Sequence, residues 1–205
     1  MDIAGQLGAI DREVGTRAGD GGDLVSVVLR RRYDSPVDDV WDAMTDPDRL
    51  KRWLYPVSGD LREGGSFQFE GNAGGDIVSC QPPTLLRVTF GGAESLVELR
   101  LTGNGERTDL ILEHTVPVAM AGSGAGALFV GPGWDEGLMA LALFLDGEPD
   151  PVAVRDSADG KAFSRRSVDA WIAAVEASGT ADAEQIAVAA EVALAQFAPE
   201  QTETR

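Results

Sequence analysis

The sequence predicts a single α+β domain: an antiparallel meander, one long apolar helix, and a pair of helices after it. Three observations carry this. Residues 56–116 alternate with period two between Gly-Gly and Asn-Gly turns. Residues 138–145, the body of a helix beginning near Trp134, are apolar around a whole helical circumference, so that helix must be covered on more than one side. Two amphipathic segments at helical spacing follow within residues 163–198.

In chain order, Ile3, Leu7, Ile10 and Val14 fall at helical spacing, weakened by Gly5, Gly8 and Gly15. This predicts a short docking helix or a frayed arm over residues 1–23, ended by Asp20-Gly21-Gly22-Asp23. Leu24 to Tyr33, rich in Val and Leu, reads as the first strand. Pro36 suits the first turn of a short helix carrying Val40, Trp41 and Met44, and Asp46 before Pro47 is an N-cap for a second helix ending near Trp53. Phe67 to Phe69, Asp76 to Gln81, Leu85 to Phe90, Leu96 to Leu101 and Thr108 to Val116 then form a meander of five or six strands.

Residues 117–133 hold no charge and are rich in Gly and Ala. Gly122-Ser123-Gly124-Ala125-Gly126-Ala127 fits the Gly-x-Gly-x-x-Ala form of the dinucleotide fingerprint, but no βαβ unit surrounds it. The segment reads instead as a flexible lid or a tolerant surface loop. Gly131-Pro132-Gly133 opens the apolar helix, which Asp146-Gly147 closes. A polar linker is expected over 148–162 and a helical hairpin over 163–198. Its first stripe is Val168, Trp171, Ile172 and Val175; its second is Ile186, Ala189, Ala190, Ala193 and Phe197, with Thr180 or Asp182 as cap. Residues 199–205 read as a loose tail.

Composition limits function. With 34 acidic against 17 basic residues the formal charge is −17, which repels phosphate backbones and disfavours nucleic-acid partners. Arg30-Arg31-Arg32 divides between two strand faces and reads as a solvated edge. Cys80 is alone, which excludes an intrachain disulfide and fits a reducing compartment. No signal-peptide pattern opens the sequence, and its longest apolar run, Leu138 to Leu145, falls far short of the ~20 residues of a spanning helix. A cytoplasmic protein without membrane insertion is the expectation.

Several separated motifs carry a family resemblance. Tyr33-Asp34-Ser35-Pro36 with Val40-Trp41 resembles an aromatic-x-Ala-Pro…Val-Trp signature, with Ser35 in place of Ala. Thr45-Asp46-Pro47 with Trp53, Gly75-Asp76-Ile77 with Pro83-Thr84-Leu85-Leu86, Leu110-Ile111-Leu112-Glu113-His114, and Gly133-Trp134 with Leu138 and Leu141 follow in the matching order. Over about residues 24–147 the chain thus resembles the START-like (SRPBCC) superfamily, closest to the family named for activators of the heat-shock chaperone ATPase. The resemblance implies a helix-grip (START-like, Bet v-like) fold, in which a curved sheet wraps a long C-terminal helix around an apolar cavity. It also implies binding of a small hydrophobic or aromatic molecule. Chaperone activation does not carry over, because in that family it depends on a further N-terminal domain, and only about twenty residues precede the resemblance.

Three functions are compatible with these residues. The first is a binding protein whose cavity draws on Trp53, Phe67, Phe69, Val88, Phe90, Leu99, Leu112, His114, Trp134, Leu138 and Leu141. Strand parity groups Phe67 with Phe69, Val88 with Phe90 and Leu99 with Leu101, without saying which set faces inward. The second is a cyclase-, aromatase- or hydrolase-like enzyme in the same cavity. The sole histidine, His114, is its main candidate acid or base, with Glu113, Asp76 and Tyr33 as the others. A hydrogen-bonded structural role for His114 is the alternative. The third is an interaction module acting through the hairpin, including a homodimer. No cofactor is expected. No metal site is either, since Asp38, Asp39, Asp42, Asp46 and Asp48 are spaced for helix exposure and capping.

Overall fold

Period-two segments and turn glycines build one large sheet. The computed structural model describes residues 1–19 and 21–199. Helix α1 (Ile3–Gly8) precedes eight strands and two short helices: β1 (Ile10–Gly19), β2 (Gly22–Tyr33), α2 (Val37–Thr45), α3 (Pro47–Leu50), β3 (Val57–Gly59), β4 (Ser66–Phe69), β5 (Gly74–Gln81), β6 (Leu85–Thr89), β7 (Leu96–Asn104) and β8 (Arg107–Pro117). All pairings are antiparallel, in the order β1-β2-β8-β7-β6-β5-β4-β3. Strands β3 to β8 are the meander, and α2 and α3 carry the chain across from β2. As the Asp-Pro signal predicts, the Asp46 carboxylate caps α3 by accepting from the Arg49 amide at 2.9 Å.

Register decides which face is the core. Val14, Val27, His114, Val97, Val88 and Ile77 occupy one row across the sheet, and Arg12, Leu29, Leu112, Leu99, Leu86 and Cys80 the next. Helix α5 (Gly131–Leu145) lies against this face, and the Tyr33 hydroxyl donates to the Leu138 carbonyl at 3.1 Å. On the far side of α5 packs α7 (Ala158–Ser178), whose Phe163, Val168, Trp171 and Val175 are fully buried. Sandwiched between sheet and α7, the body of α5 over residues 138–145 is apolar all round for a physical reason. Each large side chain so buried contributes roughly 1.5–3 kcal/mol. Helix α8 (Ala183–Phe197) completes the layer, with Asp182 as its cap in a reciprocal capping box with Gln185.

One buried carboxylate ties three layers together. Asp135 of α5 has no exposed surface and accepts from Arg12 Nε of β1 at 2.8 and 3.1 Å. From α7 it accepts the Trp171 indole at 3.1 Å and a short bond from the Ser167 hydroxyl. Burial pushes its carboxyl upward, against the opposing pull of the Arg12 charge and these donors. Guanidinium and indole have only donors to offer, which makes a carboxylate the complementary partner.

Four expectations are corrected. Residues 10–19 are a strand, not part of a helix or arm. The step from Ile10 to Val14 is even, so it satisfies period two as well as a helical turn, and both side chains are buried against the core. Arg31 is no solvated residue: β2 is an interior strand, and the side chain is 7% exposed, with Nη2 donating to Gln6 Oε1 at 2.7 Å. Nor is 148–162 a linker, because α6 (Pro151–Asp156) fills it and α7 begins at Ala158. Asp150-Pro151 is a second Asp-Pro start, the Asp150 side chain accepting from the Ala153 amide at 2.9 Å.

Residues 117–133, fourth, are neither a flexible lid nor a tolerant surface loop. After α4 (Val118–Ala121), residues Gly124–Phe129 form a 3₁₀ helix whose first five residues are buried against β2, α7 and α8. Glycine here provides closeness rather than mobility: a Cβ on Gly124 would collide with the Thr180 side chain, and one on Gly131 would stand 2.4 Å from the Trp171 ring. Among the described residues no helix is long and apolar enough to cross a membrane. The tail beyond Pro199 lies outside the described residues.

Asp135→Ala strands the Arg12 guanidinium without its counter-charge and is expected to lower stability by about 3–5 kcal/mol. Urea unfolding measures this, and a loss below ~1 kcal/mol would remove the tie from its structural role. Gly131→Ala is expected to cost about 1–3 kcal/mol by overpacking onto Trp171, read as a lowered thermal midpoint.

Candidate functional site

Sheet, α3 and α5 do not close completely on one another. They leave a space of about 390 Å³, walled mainly by aliphatic and aromatic side chains. Trp53 is held at its α2–α3 end by donating from its indole to the Ala43 carbonyl at 2.9 Å. Phe67, Phe69, Val88, Phe90, Leu99 and Leu112 face it from the sheet, and Trp134, Leu138 and Leu141 from α5. The rings form a continuous path. Tyr55 lies 6.3 Å from Phe69, Phe69 5.3 Å from Phe67, Phe67 6.4 Å from Phe90, and Phe90 5.1 Å from Trp134. Such contacts fix ring orientation as well as burying area.

His114 stands behind this wall rather than on it. It is 3% exposed, beside Phe90 and Trp134. The Trp134 indole donates to His114 Nδ1 at 3.0 Å, and Nε2 lies 2.8 Å from Ser95 Oγ. An indole N–H can only donate, so Nδ1 must carry the lone pair and Nε2 the proton. Burial drives the imidazole pKa down to about 4. Both nitrogens are committed, which is the structural role; what they orient is Trp134, a wall residue.

The other acid–base candidates are also elsewhere. Tyr33 is buried beneath α5, and burial raises its phenol further above the ordinary value. Glu113 is on the opposite sheet face, accepting from Ser26 Oγ at 2.7 Å, and Asp76 is exposed.

Glu136 and Arg155 are the charged residues that do reach the wall among those described. Glu136 Oε1 accepts from Ser164 Oγ at 2.6 Å. Burial raises its carboxyl above the usual range, offset in part by Ser164 and by the Arg155 charge. Arg155 comes from α6, with its guanidinium 5.5 Å from the Tyr55 ring centre. Sequence reading missed both: Glu136 sits beside the run Leu138 to Leu145 with no motif around it, and Arg155 lies in the supposed linker. Cys80 lines the same space, its thiol pushed up by burial and by Glu63.

Residues 34–146 match the family described as Activator of Hsp90 ATPase homolog 1-like protein. None of the curated proteins matches the chain. Among solved structures, CalU16 from Micromonospora echinospora is 40% identical with a TM-score of 0.68, the match covering 82% of this chain and 98% of that one. DynU16, a protein in the dynemicin biosynthetic locus, is 26% identical with a TM-score of 0.54, over 62% of this chain and 49% of that one. A conserved protein of unknown function from Enterococcus faecalis, 13% identical with a TM-score of 0.56 over 84% of this chain and 95% of that one, shares the fold alone.

The buried histidine sets a pH dependence. Its folded pKa, about 4, lies below the unfolded 6.5, so the unfolded chain binds the proton more readily. The contribution is fully present above pH 6.5 and is lost as the pH falls through 4. Between pH 7 and pH 5 wild type should therefore lose on the order of 2 kcal/mol more stability than His114→Asn, measured by urea unfolding at each pH. Parallel losses in the two proteins would mean that the imidazole is not buried neutral.

Proposed function

The chain belongs to the family of Activator of Hsp90 ATPase homolog 1-like proteins, and we propose that it binds a small hydrophobic or aromatic molecule between the sheet and α5. The observation that carries this reading is the space of about 390 Å³ with its continuous aromatic path and only a few polar groups on the wall. Ligand sites of small-molecule binding proteins have this size and composition. The similarity to DynU16, from a biosynthetic locus, supports a product or intermediate of biosynthesis as the ligand class. A formal charge of −17 favours a neutral ligand over an anion and speaks against nucleic acid. A cytoplasmic location goes with this reading.

Binding is favoured over catalysis by His114, since an imidazole with both nitrogens engaged and its basicity suppressed is a poor general base at neutral pH. The hairpin reading has less support: Val168, Trp171, Val175, Ile186, Ala189 and Ala193, which would serve a partner, are buried within the chain.

The neutral fluorophore N-phenyl-1-naphthylamine tests the proposal. Wild type is expected to bind it at one site with an increase in emission. Leu99→Trp, which projects bulk into the space, should weaken binding about tenfold, equivalent to roughly 1.4 kcal/mol, with the unfolding midpoint nearly unchanged. Absence of binding to wild type, or equal binding by a folded Leu99→Trp protein, would sink the reading.

A further inference from the structure

Most of the wall is apolar, yet two opposite charges reach it from adjacent helices without pairing. Glu136 of α5 spends Oε1 on Ser164. Its Oε2 accepts from no donor among the described residues, and it is not among the polar atoms sealed from solvent. Arg155 of α6 pairs through Nε with Asp156 at 3.2 Å rather than with Glu136. Its terminal nitrogens donate to nothing described, and its side chain is 20% exposed. The guanidinium is held over Tyr55, which itself lines the space. An acceptor and a donor therefore stand ready on one wall, each fixed by a neighbour that is not the other.

We infer that Glu136 and Arg155 form a polar clamp selecting a neutral aromatic or polycyclic ligand that ends in a hydroxyl group. The inference rests on the binding reading above and adds the chemistry of the ligand's polar end. A hydroxyl donates to Glu136 Oε2 and accepts from Arg155, satisfying both with one atom. A cation would meet Arg155 and an anion Glu136, so each charged alternative leaves one clamp member opposed. A purely apolar ligand would cover Glu136 Oε2 and the terminal nitrogens of Arg155 and leave those atoms unbonded, which is where discrimination arises. Ser164 and Tyr55 are positioning residues, since they hold the carboxylate and the guanidinium in place.

The test compares 2-naphthol with 2-methylnaphthalene, which have nearly the same shape and differ in the hydroxyl. Each displaces N-phenyl-1-naphthylamine from the full-length protein. Wild type is expected to prefer 2-naphthol by about ten- to a hundredfold, as hydrogen bonds to charged groups allow. Glu136→Leu should abolish the preference while binding 2-methylnaphthalene at least as well. Arg155→Met should reduce the preference without weakening 2-methylnaphthalene. Glu136→Gln, which keeps shape and an acceptor, should retain part of it and guards against a folding defect in the leucine variant. Equal affinity of wild type for the two compounds, or an undiminished preference in Glu136→Leu, overturns the clamp and leaves the apolar site standing. Tighter binding of 1-naphthylmethylamine than of 2-naphthol overturns it in favour of a cation site. Failure of every aromatic to bind removes the site and the clamp together.

Discussion

A carboxylate kept dry among three layers is the constraint on which the arrangement of this protein depends. Asp135 is fixed from β1 by Arg12 and from α7 by Ser167 and Trp171. A buried ion pair of this kind stabilises less than well-packed hydrocarbon would, because both partners give up hydration. Its effect here is on geometry. Hydrocarbon faces can slide and rotate on one another, whereas a carboxylate with directed donors accepts one rotation of α5 about its axis. That rotation points Trp134, Leu138 and Leu141 at the sheet and turns Asp135 toward α7.

The same rotation accounts for the open space. With α5 held from behind, the sheet side of the helix need not be packed to the density of a core. The rings from Tyr55 to Trp134 brace one another instead. His114 extends that bracing backward. Its fixed tautomer receives the Trp134 indole, while Ser95 engages the other nitrogen. In a row of paired positions otherwise occupied by Val14, Val27, Val97, Val88 and Ile77, this one polar residue holds the aromatic wall upright.

How much was legible depended on whether a signal was local. Asp46-Pro47, Asn104-Gly105 and the alternating runs were readable because capping and turn geometry are decided within a few residues. The spacing of Ile10 and Val14 predicts a helix although a step of four serves a strand as well, and the deciding partner, β2, comes later in the chain. Gly124 and Gly126 fit a lid or a tolerant loop as well as a packed segment, because the missing Cβ has two uses. The absence of charge over 117–133 was the clue that the segment faces protein rather than water. Glu136 and Arg155 had no motif to betray them; their meeting depends on how α6 lies against α5.

The amino-acid order by itself determined the order of the meander, the capped helices, the superfamily and the apolar helix that must be enclosed, because these follow from periodicity, turn chemistry and short motifs. Tertiary structure alone decided which strand face is inward, that the glycine-rich segment is packed, that His114 is spent on Trp134 and that Asp135 is the tie. Those outcomes require side chains far apart in the chain to meet, as Arg12 and Asp135 do across 123 positions. Distance in sequence carries no record of such a meeting until the chain has folded.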